Sequence, residues 1–255
     1  MIYKRVAARL RAQDWAAITI ELGIVIVGVF IGTQVANWNE ERLERREAQR
    51  MLIRLKPELD SLADFYVSMR VYYRTTRAYA TTALAGWAGA PDVSDHDFVI
   101  AAYQASQIYG SATNNATWAT IFGADRLRTV ADPDLRKDLA YLMYVDSSLT
   151  DSTSVNTPYR QNVRRIIPVE IQDAIRAECG DRSPPDKPQL ISLPETCDLQ
   201  LPAPAMKEAA AALRANRQLV EDLRWHTAAA AAYLENMSGL EAATLRVRKQ
   251  FDSLD

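Results

Sequence analysis

Apolar residues follow two regimes along this chain. Between Ala16 and Ala36 they run almost unbroken, AAITIELGIVIVGVFIGTQVA, with eleven consecutive apolar or glycine residues from Leu22 to Gly32. From Asn37 onward they recur every three or four positions among charged residues. A helix of this first length rises about 30 Å, the thickness of one bilayer core. Residues 16–36 are therefore predicted to cross a membrane.

The second regime predicts helices throughout. Residues 37–56 alternate Glu and Arg, with Glu41/Arg45 and Glu47/Arg50 at helical spacing, which suits a solvated stalk. Leu52, Leu55, Leu59, Leu62, Tyr66, Met69 and Tyr73 then form a heptad seam, better read as an inner bundle face than as an intermolecular coiled coil. Pro57 is expected to kink or restart that helix. Gly89-Ala90-Pro91 ends it; Ser94 with Asp97 forms a capping box for a helix to Gly110, and a short helix is expected over 116–122. Asp132-Pro133 opens a helix through Tyr144, and helical spacing returns from Tyr159 to Glu178, broken at Pro168. No proline interrupts Ala205 to Phe251, so a single last helix of more than forty residues is expected, weakest at Gly239.

No stretch has the two-residue alternation of a strand. The fold class expected is all-α, one N-terminal transmembrane helix followed by a helical bundle with long antiparallel helices. The chain divides into a basic amphipathic tail (1–15), the span (16–36), the stalk (37–56) and an α-helical domain (57–255).

An uncleaved anchor fits the span better than a cleaved signal peptide, because a cut after Ala36 would place Gln34 at the position that wants a small residue. Trp15 and Trp38 bracket the span as an interfacial belt. The tail carries Lys4, Arg5, Arg9 and Arg11, and the first 20 residues after the span carry six basic and four acidic side chains, so the Lys and Arg count alone does not orient the helix. Moving the basic tail outward would oppose the membrane potential, whereas long domains cross largely regardless of charge. The N-terminus is placed in the cytoplasm and the large domain in the periplasm of a bacterial inner membrane.

Glu21, Val25, Gly28, Gly32 and Val35 fall on one face of the span, and Gly28-Val29-Phe30-Ile31-Gly32 is a GxxxG pattern. Glycines four apart admit a second helix, and an ionisable residue in a span ordinarily faces protein or water. This face is expected to pack on a second copy or another membrane protein. The blander reading is that the glycines are ordinary span residues and Glu21 reaches for the interface.

The order Glu21, Gly28, Gln34, then Asn37-Trp38-Asn39-Glu40-Glu41-Arg42, resembles a family of uncharacterised bacterial single-span membrane proteins. Thr117-Trp118-Ala119-Thr120-Ile121-Phe122-Gly123 and the residues to Arg136 are similar to that family's mid-domain segment. Ile20 stands where the family has Gly, and Ala124-Asp125-Arg126-Leu127 replaces its Ser-Gly-x-Leu. The resemblance implies membrane attachment and a helical domain; it implies no activity, cofactor or catalytic residue.

Charge and cysteine usage refine the picture. The 255 residues carry a net charge of −2, and the part beyond the span is near −4, so no nucleic-acid surface is expected. Cys179 and Cys197 bracket a proline-rich loop of 17 residues with no helical period. A disulfide between them would staple that loop in an oxidising compartment, and two free thiols are the alternative. No cysteine has a neighbouring ligand spacing, so neither a metal nor another cofactor is expected.

No phosphate-binding, nucleophile-elbow or zinc-protease motif occurs, and the two histidines, His96 and His226, read as surface or packing residues. The chain is expected not to be an enzyme. Tyr66, Tyr72, Tyr73, Tyr79, Trp87, Tyr103, Tyr109 and Trp118 read first as core, and second as walls of a ligand pocket. The leading expectation is a membrane-anchored structural or interaction protein, an oligomer or an accessory subunit of a membrane complex. A periplasmic ligand-binding module comes next, with a tail too short for a signalling output counting against it. An ion-coupled subunit using Glu21 is the third.

Overall fold

The computed structural model describes residues 15–109, 126–130, 132–149, 156–187 and 190–252. Residues 1–14 of the basic tail, residues 117–125 of the mid-domain segment with Trp118 and the short helix expected over 116–122 lie outside these residues. The architecture is all-α, with seven helices among the described residues: α1 (Trp15–Ala88), α2 (Asp95–Gln104), α3 (Pro133–Leu149), α4 (Pro158–Ile166), α5 (Val169–Cys179), α6 (Ala203–Ala215) and α7 (Gln218–Asp252). A short 3-10 turn covers Arg126–Thr129. Among the described residues the one pairing of extended backbone is the isolated bridge between Arg182 and Ser192.

Helix α1 organises everything else. At 74 residues it is about 110 Å long by its helical rise. From Thr19 to Glu47 its residues are exposed, Gly23 partly, and after Ala48 the heptad residues Leu52, Leu55, Leu59, Leu62, Tyr66, Met69 and Tyr73 are all buried in the domain. The seam is thus the inner face of the bundle, and the packed region starts at Ala48, nine residues before the expected boundary at 57.

Pro57 neither stops α1 nor restarts it. The ring removes a donor from the Ile53 carbonyl, but Ile53 and Pro57 both lie on the exposed face, where water can accept that role. Buried Leu55 and Leu59 hold the helix to the core on either side. The helix ends where expected: Gly89 adopts φ 74°, the Ala90 amide donates to the Ala85 carbonyl at 3.0 Å and the Gly89 amide to Gly86 at 3.3 Å, a Schellman closure.

The other starts also follow local chemistry. Ser94 Oγ accepts from the Asp97 amide at 3.0 Å and caps α2. Asp132 Oδ1 accepts from the amides of Asp134 (2.8 Å) and Leu135 (3.1 Å), with Pro133 in the first turn of α3. Pro168 separates α4 from α5.

Helix α7 runs antiparallel to α1, since Arg70 pairs with Glu241 (2.5 Å) while Tyr73, one turn on, stacks edge-on against Tyr233. It is likewise antiparallel to α3, with Arg246 bonded to Asp138 at 2.7 and 3.0 Å. Helix α7 continues through Gly239, where a Cβ would come 2.8 Å from the Tyr141 hydroxyl, so α3 and α7 approach at this point.

The last helix is two helices, a correction to the sequence expectation. Asn216 leaves the helical region (φ −99°, ψ 86°) and divides α6 from α7 without proline or glycine. The Leu213 carbonyl takes the Trp87 indole N–H at 3.0 Å, and Arg214 binds Asp95 at 2.6 Å and sits over the Phe98 ring. These contacts turn the end of α6 toward α1 and α2.

Candidate functional site

Three features could carry function: the apolar end of α1, a buried polar network, and a cleft beneath the cystine loop. The first is the part of α1 before Ala48. It contains a window of mean hydropathy 1.9, none of it buried, long and apolar enough to cross a membrane. Glu21, Val25, Gly28, Gly32 and Val35 are exposed, and nothing lies within 4 Å of where a Cβ would stand on Gly28 or Gly32. The chain itself therefore leaves this face free for lipid or another helix. Trp15 opens α1, and Trp38 is exposed with the Arg42 guanidinium 5.9 Å from its ring centre.

The second feature surrounds the C-terminal end of α2. Arg160 and Arg164 stand one turn apart on α4, a helix whose Tyr159 and Val163 are buried. Arg160 Nη1 donates to the Ser106 carbonyl (2.6 Å), and Arg164 donates to Ser106 Oγ (3.1 Å) and Gln107 Oε1 (2.8 Å) while covering the Tyr103 ring at 4.7 Å. Cations at a helix C-terminus complement its dipole. Gln104 Nε2 continues the network to the Cys179 carbonyl at 2.7 Å.

Beyond the cystine, Tyr72 donates to Asp181 Oδ1 at 2.9 Å. Burial raises the affinity of both groups for their protons: Tyr72 through desolvation and then the Asp181 charge, Asp181 through desolvation, opposed by the Tyr72 hydrogen bond and the two arginines. Desolvation lowers the pKa of Arg160 and Arg164. His226 is buried against this network, its Nδ1 2.8 Å from Thr157 Oγ1, and its pKa falls to about 4 through desolvation first and the Arg160 charge second. Every polar partner in the network is an internal one, so it reads as a brace joining α1, α2, α4 and α7.

Cys179 and Cys197 are disulfide-bonded, with Cα atoms 5.5 Å apart, as the bracketing of the loop suggested. The loop they close lies across α1, where Ser68 Oγ donates to the Ile191 carbonyl (2.6 Å) and Tyr79 to Pro194 (2.8 Å); just beyond Cys197 the chain meets α2, His96 Nε2 donating to the Leu199 carbonyl. Lys187 pairs with Asp64 at 3.1 Å.

Beneath this loop is the third feature, a cleft of about 540 Å³ between α1, the first turns of α2 and residues 195–201. Of the expected aromatics, Tyr66, Tyr72, Tyr73, Tyr103 and Tyr109 are fully buried core, and Tyr79 is the one that lines this cleft. The cleft and the network join segments a hundred residues apart, and neither was visible in the linear pattern. The one local hint was the Arg160/Arg164 pair above a buried helix face.

Among the described residues no group of three or more His, Cys, Asp or Glu could hold a metal ion. No protein family, curated protein or solved structure matches the chain.

Proposed function

We propose that this chain is a non-enzymatic, inner-membrane-anchored interaction protein whose bundle stands in the periplasm and whose span associates with a second copy or another membrane protein. The carrying observation is the continuity of α1: one unbroken helix is wholly exposed and apolar at one end and is the central element of the core at the other. A rod of that kind ties the position of the bundle rigidly to whatever packs on the span.

The cystine supports the outward orientation, since disulfides persist in oxidising compartments. The free face of Glu21, Gly28 and Gly32 supports association, because small residues admit close helix approach and a carboxylate favours a protein or wet surface over lipid. The test is extraction from native membranes in mild detergent. The parent protein should migrate as a defined assembly, and Gly28→Leu or Gly32→Leu should shift it toward the monomer. Glu21→Gln should leave the assembly intact if the carboxyl serves packing, and loss of function with intact assembly would move the reading to ion coupling.

A further inference from the structure

We propose that the cleft beneath the cystine loop is a binding site for a small organic cation with a short apolar body. At about 540 Å³ it lies in the size range of small-molecule sites. Its floor is apolar and buried, formed by Ile100, Ala101 and Leu199. Its exposed charged groups are all acidic: Asp97 from α2, Glu195 from the loop and Asp198 just after Cys197. No Lys or Arg occurs among the described residues that line it; His96 Nε2 donates to the Leu199 carbonyl while its Nδ1 lies 3.6 Å from Asp97 Oδ1, which leaves Glu195 and Asp198 as the rim acids that face no imidazole. A cleft with an apolar floor and a polar rim whose charges are of one sign selects a ligand of the opposite sign and raises its local concentration.

The site is also preformed. Cys197 lines the cleft and is tied to α5, while Tyr79 and His96, on the two walls, hold the backbone at Pro194 and Leu199. A ligand entering a braced cleft need not order the loop, which favours binding by a small molecule. This inference stands on the outer bundle alone and is independent of what the span contacts.

The experiment is calorimetric titration of the detergent-solubilised full chain at neutral pH with 2-phenylethylamine and, separately, with its anionic counterpart phenylacetate. The amine should bind at millimolar concentration, and phenylacetate at least tenfold more weakly. Glu195→Gln with Asp198→Asn should weaken the amine at least tenfold, because both positions are exposed and their change leaves the fold intact by circular dichroism. Ala78→Trp, at an exposed position on the α1 wall, should abolish binding by filling the cleft, with Thr82→Trp as the substitute should the first variant lose native helicity. The proposal is overturned if the amine does not bind, if the anion binds equally well, or if the filled or neutralised cleft binds the amine as the parent does.

Discussion

The buried imidazole of His226 makes the stability of the bundle depend on pH below neutrality. His226 is 3% exposed and its pKa falls from 6.5 to about 4. Above pH 6.5 the ring is neutral in both folded and unfolded chains and contributes no pH dependence. As pH falls from 6.5 toward 4, the unfolded chain takes up a proton that the folded chain refuses, so stability is lost across that interval and the loss is complete below it. The full difference is ~3 kcal/mol at about 1.4 kcal/mol for each tenfold change in proton affinity, and ~2 kcal/mol of it falls between pH 7.5 and pH 5. His226→Asn keeps an amide near the position of Nδ1 for Thr157 but cannot titrate. Urea unfolding followed by circular dichroism at the two pH values should show the parent losing ~2 kcal/mol more than the variant, since carboxylates contribute alike to both. Equal pH dependence in the two proteins would refute the assignment of a buried neutral histidine.

Two further outcomes follow from the packing. Reducing the Cys179–Cys197 bond, or replacing both cysteines with alanine, should cost ~3 kcal/mol in the chain-entropy picture, read as a shift in urea midpoint with and without reductant. Gly239→Ala should change stability by less than ~1 kcal/mol in urea unfolding, because the helix gain over glycine is set against a Cβ that meets only the movable hydroxyl end of the exposed Tyr141 side chain; a larger loss would show that Tyr141 cannot give way.

What could be read from the sequence was what is decided locally. The apolar run to Ala36, the caps at Ser94 and Asp132, the glycine stop at Gly89 and the proline break at Pro168 each depend on neighbours within a turn, and each stands where expected. The cystine was legible because a proline-rich loop between two cysteines lacks another restraint. Pro57 misled because its cost depends on which face it occupies, and the exposed side of α1 tolerates it. The break at Asn216 had no local signature; it follows from Trp87, Asp95 and Phe98, more than a hundred residues earlier, holding the end of α6. The same limit hid the brace of Arg160 and Arg164 and the cleft, both assembled by tertiary packing.

The central claim, an anchored rod with its bundle on the outer side, is tested most directly by protease accessibility in spheroplasts of a cell expressing the full chain with a cytoplasmic-side epitope at the N-terminus. Protease added outside should degrade the bundle and leave a membrane-bound fragment that retains the epitope and the span of α1. A bundle that is digested only after the membrane is broken, or a chain released into the soluble fraction, would contradict the account.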